Sequence, residues 1–295
     1  MPGVRIQESE FRILPSGRHK HGYFVLDSVF CLLTTVQLPF LVLILLAATA
    51  QAAGRDTIYQ TAPIDALMAG VYDGDYPVGD LKQHGDIGVG TLNALDGELV
   101  CVDGQMFQVR VDGEVCPVPD SARTPFTIVT WLDRDIALKA VSATSLDEFC
   151  RIMDRSLPSL NLFFAIRADG EFAYVKTRSV PKQAKPYRPL VEVAEQQAVF
   201  EFKRVKGTLV GFRCPSFVKG INVPGYHFHF LTDDRKSGGH VLDLRATGLD
   251  VVLDPSDSIY LALPRQGDFT HTDLSVDRQQ ELHRVESAPK GLQRN

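Results

Sequence analysis

Through much of this 295-residue chain apolar and polar side chains alternate with a period of two, the signature of half-buried β-strands. The most informative run is Tyr226 to Phe230, where aromatic residues at 226, 228 and 230 leave His227 and His229 together on the other face. A polar stretch from Asp233 to Gly239, rich in turn formers, precedes a second apolar strand from His240 to Leu244, which predicts an antiparallel hairpin. Pairing Leu231 with Gly238 sets His240 opposite His229, and directly opposed residues have Cβ atoms roughly 4.5–5.5 Å apart. Three imidazoles then converge on one point of a two-stranded platform.

The same reading divides the rest of the chain. Thr57 to Gln60 predicts a short strand, and Thr61 to Val71 a helix capped by Thr61, with Pro63 in its first turn and apolar residues at 64, 67, 68 and 71 facing inward. A second short helix covers Val78 to Gln83. Glycines at 85, 88 and 90 are in the wrong order for a dinucleotide fingerprint and predict close backbone packing instead. Residues 86–118 alternate strands with the turns Asp96-Gly97, Asp103-Gly104 and Asp112-Gly113, an antiparallel meander. Phe126 to Leu132 predicts a strand containing Trp131. Ser145 and Glu148 form a capping box that opens a helix running to about Leu157.

Beyond that helix, Leu162 to Arg167 and Glu171 to Arg178 predict a hairpin across Asp169-Gly170. Pro181 to Pro189 holds three prolines and surplus positive charge, and predicts a linker between a domain of residues 56–182 and one of residues 183–295. Leu190 to Phe200 reads as a short helix. Lys206 to Cys214, Leu249 to Leu253 and Ser258 to Leu263 read as strands, before a polar helix or tail from Asp277 to Glu286.

Leu38 to Ala48 is an apolar run preceded by Arg18, His19, Lys20 and His21 and followed by small residues at A-x-A spacing through Ala52. It predicts a signal peptide cleaved after Ala52, or a membrane anchor, since the uncharged stretch from Ser28 to Ala53 reaches the about 20 residues that a bilayer takes. Residues 1–55 are therefore set apart from the fold. The mature chain is expected in the periplasm or outside the cell, on the membrane if the leader is uncleaved, or in the cytoplasm if translation starts further in.

Apolar content of 44% and a net charge of −5 supply no basic field to gather a polyanion, so nucleic acid is not an expected partner. Cys101 and Cys116 fall on strands of the meander separated by a third, and all four cysteines beyond the leader, with Cys150 and Cys214, are expected as free thiols. Three neutral imidazoles with no fourth protein ligand predict zinc with an open coordination position, the catalytic pattern. Iron, nickel and copper also suit imidazole. The arrangement is similar both to the three-histidine strand site of carbonic anhydrases and to the H-x-H of cupins, so spacing leaves the chemistry open. A zinc lyase or hydratase and a non-catalytic metal-binding protein both satisfy it.

Longer segments narrow this. Thr57-Ile-Tyr-Gln60, Gly70-Val-Tyr-Asp-Gly74, the run from His84 through Leu95-Asp-Gly-Glu98, Thr124-Pro-Phe126 and the run from Tyr226 to Asp243 resemble the acetolactate decarboxylase family, over residues 57 to about 288. The resemblance implies an α/β protein of α+β character: two domains with mixed, largely antiparallel sheets, a few short helices and a zinc ion between them. It implies decarboxylation of 2-acetolactate (2-hydroxy-2-methyl-3-oxobutanoate) to (R)-acetoin and carbon dioxide, in acetoin and butanediol metabolism, by a homodimer. His227, His229 and His240 match the family's metal ligands. Glu98, Arg178 and Glu286 match its catalytic residues, and Thr91 and Arg178 its substrate-binding ones; Arg167 and Glu281 are the neighbouring alternatives. In this scheme zinc polarises the keto and hydroxyl oxygens, Arg178 holds the carboxylate, and a carboxyl group protonates the resulting enediolate.

Overall fold

Short apolar runs punctuated by glycine turns fold into fourteen strands and five short α-helices among residues 55–286, which the computed structural model describes. The expected signal peptide or anchor, with its Ala52 cleavage point, lies outside the described residues. None of the described helices is long and apolar enough to cross a membrane.

The first half supplies β1 (Thr57–Thr61), β2 (Tyr76–Pro77), β3 (Ile87–Thr91), β4 (Glu98–Val102), β5 (Gln105–Val109), β6 (Val115–Pro117), β7 (Arg123–Thr124) and β8 (Phe126–Thr130). The second half supplies β9 (Ile136–Ala143), β10 (Phe163–Ser179), β11 (Ala198–Cys214), β12 (Gly225–Thr232), β13 (Gly238–Ser256) and β14 (Ser258–Ala262). The helices are α1 (Ile64–Met68), α2 (Val78–Leu81), α3 (Leu146–Ser156), α4 (Leu190–Val193) and α5 (Gln279–Glu286). The result is the expected mixed fold, strand-rich, largely antiparallel and poor in helix.

A seven-stranded sheet runs in the order β14-β1-β8-β3-β4-β5-β6, antiparallel throughout except for the β1–β14 pair. The meander falls where its Asp-Gly turns place it, and β5 separates Cys101 from Cys116; all four described cysteines are free. Gly90 has no room for a side chain, because a Cβ there would come within 2.4 Å of the Phe126 carbonyl oxygen. In the second sheet β10 pairs with both β11 and β13, while β12 also bridges β11 and β13, so these four strands close on themselves with β9 attached to β13.

Alternation along the strands fills two layers. Phe164, Ile166, Phe228 and Phe230 pack with Leu209 and Leu244 inside the closed strands, under Phe149 and Met153 of α3. Phe163, Ala165, Val210, Phe212 and Leu231 point the other way, against Ile58, Val89, Val100 and Ile128 of the seven-stranded sheet. At roughly 1.5–3 kcal/mol for each fully buried large apolar side chain, this interlayer contact fixes one sheet on the other. Ser145 caps α3 as expected, accepting from the Glu148 amide at 3.1 Å.

Several elements depart from the sequence reading. The hairpin expected across Asp169-Gly170 does not form, because β10 passes straight through it. The Asp169 carboxylate accepts from Arg167 and from the Thr208 hydroxyl, Gly170 faces Gly207, and the β10–β13 register slips there, so the dipeptide makes a bulge instead of a turn. The linker expected at Pro181 to Pro189 is a connection within the fold, since β10 before it pairs along its length with β11 after it, and β1 pairs with β14. The two expected domains thus share both sheets. Thr61 ends β1, where its hydroxyl accepts from the Thr127 amide; α1 begins after Pro63 without a side-chain cap. The helix read over Leu190 to Phe200 stops early, and Ala198 already belongs to β11. Strand β9 went unread because its exposed alternation carries few large apolar residues.

Asp254 on β13 provides a test of the packing. It is fully buried, its Oδ2 accepts from the Asp133 amide at 3.0 Å, and its Oδ1 has no partner. Burial, with Asp135, Asp133 and Asp56 nearby, pushes its pKa from 3.8 up to about 7. A raised folded-state value means that this residue's contribution is fully present below the unfolded pKa and is lost as pH rises through the folded one. At about 1.4 kcal/mol per unit the loss is on the order of a few kcal/mol. Asp254→Asn should therefore flatten the decline in urea-unfolding free energy between about pH 4 and pH 7. Equal declines in both proteins would exclude this origin.

Candidate active site

The pleat of β12 decides where its histidines point. With Phe228 and Phe230 committed to the closed core, His227 and His229 share the face of Leu231, toward the seven-stranded sheet. Leu231 pairs with Gly238 and His229 with His240, the register expected from sequence. Gly239, at φ 128°, is needed beside this pair, since a Cβ would come within 2.4 Å of the Arg178 carbonyl oxygen. A bulge between Lys176 and Thr177 then sets Arg178 opposite His240. One row across three strands reads Arg178, His240, His229.

Three ring nitrogens meet. His227 Nε2 lies 3.2 Å from His229 Nε2 and 3.1 Å from His240 Nδ1. His229 Nδ1 donates to the Leu99 carbonyl at 2.8 Å, which fixes its tautomer and leaves a lone pair on Nε2. Burial makes protonation unfavourable at all three, lowering His227 to about 3 and holding His229 and His240 well below the ordinary imidazole value. A neutral ring carries one proton, so His227 Nε2 cannot donate to both neighbours, and with His229 Nε2 an acceptor the two contacts cannot both be matched donor-to-acceptor bonds through His227 Nε2. A cation among the nitrogens removes that conflict. The three residues therefore fit a metal ion, and they form the one such group of histidine, cysteine and carboxylate side chains among the described residues.

The remaining expected residues gather around this cluster. Glu98, at the start of β4, brings Oε2 within 3.6 Å of His229 Nε2, and Glu286, at the end of α5, brings Oε2 within 3.7 Å of His240 Nε2. Burial pushes the pKa of each carboxyl up to about 7, while Arg178 pulls both down and Glu286 raises Glu98 further. Both sit where a proton can be held or released near neutrality; a bound dication would lower them. Arg178 Nη2 is 3.9 Å from Glu286 Oε1, Nη1 donates to Gln197 Oε1 at 3.3 Å, and the buried Nε has no partner. The Thr91 hydroxyl donates to the Gly97 carbonyl at 2.6 Å, so it offers an approaching molecule only its lone pairs.

These groups surround a cavity of about 40 Å³. Thr91, Glu98, Arg178, His227, His240 and Glu286 form its polar side, with His229 behind them; Ile64, Leu67, Leu95, Phe126, Val180 and Leu190 form an apolar wall. Arg167 is instead bound to Asp103 and Asp169, and Glu281 to Arg278, so neither alternative reaches the site. The sequence reading missed the Leu99 carbonyl, which carries no residue-type signal. It also missed Gln197, and the apolar spacing of α1 registered as core without showing that the core wall lines a cavity.

The wall contains strain. Ala94 and Leu95 are consecutive non-glycine residues at φ 62° and φ 53°, a conformation costing about 1–3 kcal/mol per residue. The Ala94 amide donates to Tyr72 and its carbonyl accepts from Gln183, while the Gly97 amide donates to the Leu95 carbonyl.

A family model described as alpha-acetolactate decarboxylase matches residues 58–276. The alpha-acetolactate decarboxylase of Methanosarcina mazei is 48% identical over 231 residues, covering 78% of this chain and 80% of that protein. The Bacillus subtilis protein of the same name is 40% identical over 234 residues, covering 79% and 92%. The crystal structure of alpha-acetolactate decarboxylase from Bacillus subtilis strain 168 superposes with a TM-score of 0.77 at 39% identity, covering 79% of this chain and all of that one.

Proposed function

We propose a mechanism from the premise that this chain belongs to the alpha-acetolactate decarboxylase family, and is therefore a carboxy-lyase. The substrate is the 2-acetolactate anion, and the reaction is its decarboxylation to (R)-acetoin with uptake of one proton. The single observation that carries the reading is the convergence of three neutral, buried imidazoles beside two carboxyl groups and a guanidinium with a free N–H.

His227, His229 and His240 would hold the metal, taken here as zinc because three imidazoles leave a tetrahedral ion one position for a guest. The ion would supply Lewis acidity to oxygens that gain negative charge. Arg178 binds the substrate carboxylate through its unpartnered Nε and a terminal nitrogen, orienting the bond to be broken. As that bond breaks, its electron pair flows into the neighbouring ketone, giving an enediolate and releasing carbon dioxide. Glu286, buried beside His240 and Arg178, delivers a proton to one carbon face of the enediolate. Glu98 accepts from the substrate hydroxyl and Thr91 assists through its lone pairs. Ile64, Leu67 and Phe126 exclude bulk water, which strengthens each of these charged contacts.

The test is acetoin release by purified residues 53–295, before and after chelation and again after zinc repletion. Activity that falls to background on chelation and returns with zinc is expected. A chelated, metal-free sample that still turns over at the full rate would overturn the zinc assignment, and release from no sample would overturn the substrate.

The reading extends to a homodimer. β14 is an edge strand, and Ile259 and Tyr260 on it and Leu263 just after it are exposed, the kind of apolar edge that a second copy covers. Sedimentation equilibrium is expected to return twice the chain mass; a single-chain mass at micromolar concentration excludes it.

A further inference from the structure

A guanidinium is a planar fork whose nitrogens only donate, so an oxygen that takes one of them decides which edge is left for a guest. Arg178 Nη1 donates to Gln197 Oε1 at 3.3 Å, whereas the buried Nε has no partner and Nη2 stands 3.9 Å from Glu286 Oε1. Nε and Nη2 share one edge of the fork, and their parallel N–H bonds match the oxygens of a carboxylate. Gln197 therefore occupies the nitrogen that this edge does not use.

The strand pairing explains why the glutamine is in reach. Arg178 pairs with Val199 across β10 and β11, and the ladder closes with Ser179 opposite Ala198, so Gln197 is a diagonal neighbour of Arg178 at a distance that long side chains span. It follows the short turn Ala194–Gln196, to which its amide is tied through the Ala194 carbonyl. Leu190 and Val193, just before that turn, are buried in the same cluster as Leu282 and Val285 of α5. One apolar cluster thus anchors the segments that bring Gln197 and Glu286 to Arg178. Gln197 itself does not line the cavity. Its oxygen also carries no formal charge, so it holds the guanidinium without offsetting the positive charge that attracts an anion.

We propose that Gln197 is a positioning residue for Arg178: by holding Nη1 it turns the Nε and Nη2 edge toward the cavity as the seat of the substrate carboxylate. The proposal rests on the decarboxylase reading above.

The experiment measures kcat and KM for 2-acetolactate, and the product-inhibition constant of acetoin, in zinc-loaded wild type, Gln197→Met and Gln197→Leu. Both substitutions keep bulk at a half-buried position and remove the acceptor. Acetoin retains the hydroxyl and ketone of the substrate and lacks the carboxylate, so it reports on the rest of the pocket. Loss of a hydrogen bond to a charged group weakens binding by about 10-fold or more. KM for 2-acetolactate should rise by about that factor with a smaller change in kcat, while the acetoin constant, metal content and melting temperature stay at wild-type values. An unchanged KM in both variants would overturn the assignment. So would an acetoin constant that rises as much as KM, because a merely structural role loosens both ligands alike. If wild type itself releases no acetoin from 2-acetolactate, the decarboxylase reading fails and the carboxylate seat with it.

Discussion

Replacing His229 with alanine is expected to strip the bound metal and to lower acetoin formation by about 1,000-fold or more, whereas His84→Ala should change neither. Lewis-acid stabilisation is worth several kcal/mol, and each 1.36 kcal/mol is a factor of about ten in rate. His229 is firmly oriented, since its outer nitrogen donates to the Leu99 carbonyl at 2.8 Å. Losing even a supporting partner typically costs 10–100-fold in metal affinity, so loss of the ligand itself should cost more. His84 is another histidine of the chain, but it is exposed and stacks on Tyr59 at 3.8 Å, apart from the cluster. The alanine leaves the Leu99 carbonyl without its donor, at about 1–3 kcal/mol, so circular dichroism must show the variant folded. Metal content by mass spectrometry then decides. A folded His229→Ala protein with full metal and full turnover would mean that the three rings do not form the site.

That platform was legible because its information is local. A period of two fixes which residues share a face, and the residues from Asp233 to Gly239 fix the register, so no distant contact is needed to predict His229 opposite His240. The meander was legible for the same reason. Asp169-Gly170 misled because a bulge and a turn use the same residue types, and only the partner strands decide between them. The proline-rich stretch misled similarly: composition marks a segment without regular structure, but whether it joins two domains depends on the pairing of β10 with β11.

The cavity was far less legible than the hairpin. Its polar side draws Thr91 and Glu98 from the first sheet, Arg178 from β10 and Glu286 from α5, over nearly two hundred residues of chain. From residues alone each of these is an ordinary turn, strand or tail side chain, and resemblance to a family was what singled them out. Burial explains why they differ: Glu98 and Arg178 are 6% and 4% exposed, a state that unpaired charged groups do not tolerate without a reason. The strain at Ala94 and Leu95 left no sequence trace either, since neither residue is one that favours positive φ.

Glu286→Gln is expected to lower turnover by about 100- to 10,000-fold while metal content and melting temperature stay at wild-type values. The position lies beyond the stretch that the family model matches, so its role depends on geometry. α5 is docked by Leu282 and Val285, which are buried in one cluster with Leu67 of α1 and Leu190 of α4, and this places the carboxyl 3.7 Å from His240 and 3.9 Å from Arg178. Glutamine keeps the shape, the docking and the hydrogen-bond acceptor, but it cannot give up a proton and regain it. If Glu286 serves only to protonate the enediolate, kcat should fall much more than KM changes, because the lost interaction belongs to the transition state. The product adds a sharper criterion. Without a positioned acid the enediolate takes its proton from water on either face, so the residual acetoin should lose enantiomeric purity on chiral chromatography. Residual acetoin of undiminished purity would move the proton donor elsewhere, and Glu98→Gln, matched in shape and burial, would then be the variant to show both effects.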